Sequence, residues 1–147
     1  MITMTRLATF AALSLCAALP VHAAQPPAAQ QAGAKDPPIT IDSHVDIPFS
    51  YMREPRFDAG KPTRLLVDLG KMERGGLNAA FFVIWVPQHK LDAAGYAKAV
   101  AQAEQKYEAI GDMLMQYPDR IRLATTPEQL MANHKAGLLS ATIEIEN

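Results

Sequence analysis

The chain has little cysteine, few aromatic side chains and almost no net charge. One cysteine, Cys16, occurs among 147 residues, aromatic residues make up 7%, and the formal net charge is −1. A single cysteine excludes a disulfide framework within the chain. The charges are interspersed and form no basic stripe, so nucleic-acid binding has no electrostatic support.

The first 23 residues have the pattern of a secretory signal peptide. Arg6 supplies a positive charge, residues 7–19 are uncharged and mostly apolar, and Val21-His22-Ala23 precedes a predicted cut that makes Ala24 the new N terminus. The apolar run is too short for a membrane-spanning helix, which needs about 20 residues. We therefore expect a periplasmic or secreted protein without a stable membrane anchor once the peptide is removed.

Two alternatives to cleavage before Ala24 stay open. The segment could remain as an uncleaved membrane anchor, or the chain could be a lipoprotein cut before Cys16. The lipoprotein fits less well because Leu15 is large where such a site prefers a small residue. Cleavage before Ala24 removes Cys16, so the mature chain would depend on an ordinary core or on metal for its stability.

The segment that follows is too polar to fold by itself. Residues 24–38 consist mainly of Ala, Gln and Pro with almost no large apolar side chain, which predicts a flexible linker. Residues 39–147 form the foldable part and are long enough for one core.

The most informative feature is His44-Val45-Asp46, at the end of the first strand-like run. Side chains of a strand alternate between its faces, so His44 and Asp46 point the same way, about 7 Å apart along the strand. An imidazole and a carboxylate at that spacing can bind one metal ion. The alternative is a strand that ends in a polar turn.

Strand and helix patterns alternate along the rest of the chain. After a long Pro-containing stretch over 47–62, of the kind that often forms a functional loop, a helical turn over 71–74 ends at Gly75-Gly76. The continuous apolar run over 77–86 predicts a strand buried on both faces. Further strands are predicted over 121–124 and 138–147, with a helix from Thr126 to about residue 135 between them. The alternation indicates βαβ units and a parallel sheet.

The clearest helix pattern lies between Asp92, a suitable N-cap, and Pro118, which ends it. Apolar residues recur at spacings of three and four and predict the buried stripe, which comprises Tyr96, Val100, Ala103, Tyr107, Ile110, Leu114 and Tyr117. A coiled coil shares this spacing, but a short segment between strands favours a helix that packs on the sheet.

The last predicted strand places Ile143 and Ile145 on one face and Glu144 and Glu146 on the other. Glu146 therefore joins His44 and Asp46 as a carboxylate at the carboxyl end of a strand, where a (β/α) barrel carries its active site. One imidazole and two carboxylates suit zinc or a similar divalent ion.

Three stretches carry a resemblance to a known family: IDSHVDIP at 41–48, VDLGKMERGGLNAAFFVIWVPQ at 67–88 and ATIEIEN at 141–147. They are similar to the N-terminal part of the membrane dipeptidase (renal dipeptidase) family of zinc metallopeptidases. The resemblance implies a distorted (β/α)8 barrel, two Zn²⁺ ions and a dipeptide substrate. It also implies that His44 and Asp46 bind one ion and that Glu146 bridges both. Glu144 stands where the family more often has glycine.

The resemblance further implies that the fold is only the first half of a (β/α)8 TIM-like barrel, which typically needs about 250 residues. Two further histidines, an arginine segment and a proton-handling aspartate of the family site would lie beyond residue 147. No catalytic residue can then be assigned here. We expect a truncated zinc-dependent dipeptidase that is incomplete for catalysis, and a homo-oligomer is left open.

Two competing hypotheses remain. The chain could be a non-catalytic secreted binding or scaffold domain, or a non-functional fragment whose hydrophobic edge over 143–145 promotes aggregation. Other candidate residues favour structural roles: His89 as a solvated loop residue rather than a substrate contact, His134 as a surface residue near a helix end, and Trp85 as core rather than pocket.

Overall fold

The computed structural model describes residues 38–146. The predicted signal peptide and all of the predicted linker except residue 38 lie outside the described residues. Within them, no helix has the length and hydrophobicity needed to cross a membrane.

Strands and helices alternate as the sequence predicts. The strands are β1 (Ile41–Asp46), β2 (Ala79–Trp85), β3 (Ile121–Leu123) and β4 (Leu139–Glu146). The helices are α1 (Leu69–Gly75), α2 (Ala93–Gln116) and α3 (Pro127–Lys135), with a short 3-10 helix over Pro55–Phe57. The predicted caps are confirmed, because the Asp92 and Thr126 side chains accept hydrogen bonds from backbone N–H groups at the starts of α2 and α3.

The four strands form one parallel sheet in the order β1-β2-β4-β3. This confirms the predicted parallel α/β architecture; over residues 38–146 the sheet is open rather than closed into a barrel. β4 lies between β2 and β3, although β3 precedes it in the chain. The carboxyl ends of β1 and β4 therefore lie on either side of β2, with Asp46 opposite Val83 and Glu146 opposite Trp85.

One face of the sheet carries the main core. Alternate strand residues such as Phe82, Ile84 and Ala141 pack with Ile110 and Met113 of α2. β2 is buried over most of its length, as its continuous apolar run predicts. The core therefore lies between the sheet and α2.

The predicted stripe on α2 is confirmed only in part. Ile110 is buried, and Ala103, Leu114 and Tyr117 pack against the core. Tyr96, Val100 and Tyr107 are instead 63%, 56% and 59% exposed, and the buried residues of the helix are Gly95, Lys106, Ala109, Ile110 and Met113. At the start of the helix, a Cβ atom on Gly95 would lie 1.9 Å from the Lys90 carbonyl oxygen, so this position lies tightly against the preceding loop.

α3 packs on the opposite face of the sheet from α2. Asn133 of α3 donates a hydrogen bond to Ser140 Oγ at 3.0 Å, whereas Leu139 and Ala141 on either side of Ser140 belong to the core under α2. Because side chains alternate along β4, the Ser140 face continues to Glu144 and Glu146.

The predicted hydrophobic edge over 143–145 is confirmed only in part. Ile143 and Ile145 pair with Phe82 and Ile84 of β2, so β4 is an interior strand of the sheet. Ile143 packs against the core, while Ile145 is 72% exposed. β3 reaches only residues 139–141 of β4.

Candidate metal centre

The imidazole of His44 lies among three carboxylates from the carboxyl ends of β1 and β4. Its Nε2 atom is 3.7 Å from Asp46 Oδ2 and 3.6 Å from Glu146 Oε2. Its Nδ1 atom is 3.9 Å from Glu144 Oε2. The expected proximity of His44, Asp46 and Glu146 is therefore observed, and their role as metal ligands stays a prediction.

Local backbone geometry presents the His44 ring to this cluster. The register of β1 against β2 is irregular between Asp42 and Val45, and the backbone N–H of His44 donates to Asp42 Oδ1 at 3.0 Å. Val45 is buried while His44 and Asp46 stay exposed on the other side of the strand. The strand thus retains the alternation that puts both polar side chains on one face.

The donor set can be compared with a tetrahedral zinc centre. Zinc bonds of about 2.0–2.2 Å place neighbouring ligand atoms about 3.3–3.6 Å apart. The distances of 3.6 and 3.7 Å from His44 Nε2 to Glu146 and Asp46 lie at or just above the upper end of this range. Within residues 38–146, however, no group of three or more His, Cys, Asp or Glu side chains already surrounds a common point.

The short donor distances and the lack of a preformed three-ligand group are compatible, because the carboxylates lie around the His44 ring rather than around a common point. The side chains of His44, Asp46 and Glu146 are 45%, 72% and 49% exposed, so a change of rotamer can direct them toward one cation. Glu144 lies 3.9 Å from the other ring nitrogen, Nδ1. Sequence reasoning noted Glu144 only as a departure from the family pattern.

A cavity of about 520 Å³ opens beside this cluster, at the carboxyl ends of the strands. His44, Asp46 and Glu146 form its polar side, and the remaining wall consists of Ile47, Pro48, Phe49, Trp85 and Lys106. The expectation that Trp85 belongs to the core is wrong: the side chain is 41% exposed and forms part of this wall. Trp85 is the last residue of β2.

Sequence reasoning missed Lys106, the buried cation in the cavity wall. Lys106 is 3% exposed, and its Nζ atom lies 4.8 Å from the Phe49 ring centroid and 5.8 Å from that of Trp85. Burial lowers the pKa of the ammonium group, and the negative charge of Asp46 partly opposes this shift. In the sequence, Lys106 lies three and four residues before Ala109 and Ile110, which puts all three on one side of the helix. This spacing was the available sign that Lys106 is buried.

The other histidines within the described residues take no part in the cluster. His89 Nε2 lies 2.6 Å from Gln102 Oε1 of α2, so the ring is held against the helix rather than freely solvated as expected. His134 lies in the last turn of α3, where the sequence places it.

The fold and the cluster together define the class of protein. A parallel α/β sheet with imidazole and carboxylate groups at the carboxyl ends of its strands is the arrangement of part of a TIM-barrel-like fold. Residues 34–147 match the family described as membrane dipeptidase (peptidase family M19), and the chain belongs to that family. The resemblance carried by the sequence is thereby confirmed.

Two solved structures to which this chain is similar are described as a probable dipeptidase and a dipeptidase. The probable dipeptidase PvdM from Pseudomonas aeruginosa is 22% identical with a TM-score of 0.67, over 73% of this chain and 28% of that one. The dipeptidase AC, a metallopeptidase of family M19, is 21% identical with a TM-score of 0.59, over 74% of this chain and 35% of that one. The chain thus spans about a third of the length of these structures. No curated protein is significantly similar to it.

Proposed function

We propose that this chain carries the first metal site of a zinc-dependent enzyme that hydrolyses dipeptides, with His44, Asp46 and Glu146 as the ligands. The observation that carries the proposal is the convergence of two strands: His44 Nε2 lies within 3.7 Å of carboxylates from both β1 and β4. Membership of the dipeptidase family supports the reaction class. The signal-peptide pattern of residues 1–23 supports a periplasmic or secreted location.

Each residue has a defined part in this site. His44 offers the lone pair of Nε2 while Glu144 lies beside Nδ1, and Asp46 and Glu146 offset the positive charge of the cation. When bound, zinc supplies a Lewis acid that polarises a carbonyl group and lowers the pKa of water. Phe49 and Trp85 give part of the cavity wall an apolar surface.

The cluster within residues 38–146 contains one imidazole, so it offers donors for a single ion. A two-ion hydrolase needs donors for both ions and a group that protonates the departing amine. We therefore propose that this chain binds one zinc ion and that turnover of dipeptides requires additional residues.

Zinc titration by calorimetry tests the proposal. We expect one ion per chain, with affinity reduced at least about tenfold in His44→Ala and in Glu146→Ala because each removes a direct ligand. His134→Ala is the matched control, since it removes a histidine from α3 and leaves the cluster intact. Unchanged zinc affinity in both ligand variants would refute the proposal.

A non-catalytic secreted binding domain is the second candidate. The observation in its favour is that no three metal-binding side chains within residues 38–146 are already arranged around a common point. This alternative predicts a monomer that resists limited proteolysis equally well in metal-free buffer and in zinc. Protection that appears only with zinc would favour the metal site instead.

A further inference from the structure

The ammonium group of Lys106 is an unusual component of a cavity wall. Lysine is rarely buried without an ionic partner because the charge loses its hydration. Lys106 is nevertheless 3% exposed on the inner face of α2 and lines the same cavity as His44, Asp46 and Glu146. Within the described residues no buried side-chain nitrogen or oxygen lacks a hydrogen-bond partner, so the stem of Lys106 is buried while its ammonium group faces the cavity.

Two aromatic rings lie beside the ammonium group, and no carboxylate of the described residues contacts it. The rings of Phe49 and Trp85 lie 4.8 and 5.8 Å from Nζ, within the range of cation–π attraction. Within the part of the chain that the structure describes, no carboxylate lies within 4 Å of Lys106, whereas Lys61, Lys71 and Lys90 each have one. Lys106 thus presents a positive charge to the cavity that no nearby carboxylate neutralises at contact distance.

We propose that Lys106 binds a carboxylate of the substrate and so selects dipeptides that carry one beside the candidate metal site. This inference rests on the proposed function and assigns it a specificity-determining residue. A carboxylate can accept a charge-assisted hydrogen bond from the ammonium group of Lys106 and neutralise its charge. The aromatic walls formed by Phe49 and Trp85 would accommodate the apolar part of the same molecule.

A dipeptide offers this carboxylate from two sources, its C terminus or an acidic side chain. Four ligands separate them: Glu-Ala and Gln-Ala, each as the free acid and as the C-terminal amide. Binding can be followed by the fluorescence of Trp85, the single tryptophan of the chain, because its ring forms part of the cavity wall. Titrations in buffer passed over a chelating resin exclude carboxylate binding by zinc itself.

We expect Gln-Ala amide, which lacks both carboxylates, to bind about tenfold or more weakly than the best of the other three. Loss of affinity on amidation alone identifies the C-terminal carboxylate as the source, and loss on replacing Glu by Gln identifies the side chain. Equal dissociation constants for all four ligands would overturn the proposal. So would the absence of any fluorescence change at about 10 mM ligand, where even a millimolar complex is nearly saturated.

Variants then assign the preference to Lys106. Lys106→Met keeps a long side chain without the charge and should make the four ligands equivalent, whereas Lys106→Arg should retain the preference. Lys98→Met, at an exposed position of α2, is the matched control. A carboxylate preference that survives in Lys106→Met contradicts the proposal. If that variant fails to fold by circular dichroism, Lys106→Gln provides the same test.

The outcome separates this inference from the proposed metal site. A carboxylate preference lost in Lys106→Met, together with unchanged zinc affinity in His44→Ala and Glu146→Ala, would refute the metal site alone. Zinc binding that depends on those two residues, together with equal binding of the four dipeptides, would refute the role of Lys106 alone.

Discussion

Two buried aspartates hold the segment between β1 and α1 in place. Asp58 accepts a hydrogen bond from the Tyr117 hydroxyl at 2.6 Å and pairs with Lys61 Nζ at 2.9 Å. Asp68 accepts hydrogen bonds from the backbone N–H groups of Lys71 and Thr63 at 2.8 and 3.0 Å. Both carboxylates therefore join the loop to a helix, since Tyr117 ends α2 and Asp68 begins α1.

These contacts shift the pKa of each group in a defined direction. Burial alone would raise the pKa of Asp58, but hydrogen bonds from Tyr117, Lys61 and the Gly60 backbone outweigh it and lower the pKa below its ordinary value. The same balance of burial and hydrogen bonds lowers the pKa of Asp68. Burial and the bond to Asp58 raise the pKa of Tyr117 to about 12, so its hydroxyl remains a donor at neutral pH.

The pH dependence of stability follows from the sign of these shifts. A carboxyl group with a lowered pKa in the folded state contributes stability that is fully present above its unfolded pKa, about 3.9, and is lost as the pH falls toward the folded value. We expect the thermal midpoint to fall as the pH is lowered through this range, and to fall less steeply in Asp58→Asn. An identical slope in Asp58→Asn would contradict this account. Asp112→Asn, at an exposed position of α2, is the control.

At the residue scale, the sequence is enough to predict that His44, Asp46 and Glu146 lie at the same edge of the sheet, because period-two alternation and the common carboxyl edge of parallel strands are geometric rules. The burial of Lys106 is harder to predict from the sequence. A lysine within a helix is ordinarily solvent-exposed, and its burial depends on where α2 crosses the end of β2. That crossing is a property of the packed fold.

At the scale of elements, the loop after β1 packs tightly against α2. Tyr51 is 1% exposed, and its hydroxyl lies 3.1 Å from Met113 Sδ. Gly60 passes directly over the Tyr117 ring, where an added Cβ atom would lie 2.0 Å from the ring carbon Cζ. The loop over 47–62, which the sequence predicts to be functional, therefore also packs against α2 and stabilises it.

The Gly60 position gives a direct test of this packing. Gly60→Ala should lower the free energy of unfolding by about 1–3 kcal/mol, because the methyl group displaces the Tyr117 ring and weakens its bond to Asp58. Gly75→Ala is the matched control, since a Cβ there meets no atom within 4 Å. Urea denaturation measures both, and equal stabilities of the two variants would contradict the close contact.

The first half of α2 shows where hydrophobic spacing is insufficient. Tyr96, Val100 and Tyr107 share the spacing of the buried Ile110 but are exposed, so periodicity predicts the helix and not how much of its stripe is covered. Gly95 is the buried position at the start of the helix, because only glycine fits beside the Lys90 carbonyl oxygen. This close approach depends on the path of the preceding loop and is not visible in a residue count.

At the scale of the whole molecule, the order of the strands determines which side chains meet. Alternating strands and helices predict parallel pairing, but they do not determine at which edge of the sheet a strand is added. β4 lies next to β2 and not beyond β3, so its carboxyl end lies one strand away from β1. The cluster of His44 with Glu144 and Glu146 is a consequence of that placement.

The predicted N-terminal processing concerns the whole chain and can be measured directly. On secretion from a bacterial host, mass spectrometry of the intact mature protein should give a chain that begins at Ala24, because small residues precede that bond. Ala23→Arg should block the cut. A mature chain that retains Met1, or one that carries lipid on Cys16, would contradict the prediction.

The most direct test of the metal site is a crystal structure of the chain grown with zinc, with the ion located by its anomalous scattering. We predict one zinc ion coordinated by His44 Nε2 and by carboxylate oxygens of Asp46 and Glu146, at about 2.0–2.2 Å. An ion at another place on the surface, or one bound to His44 with Glu146 turned away, would contradict the account.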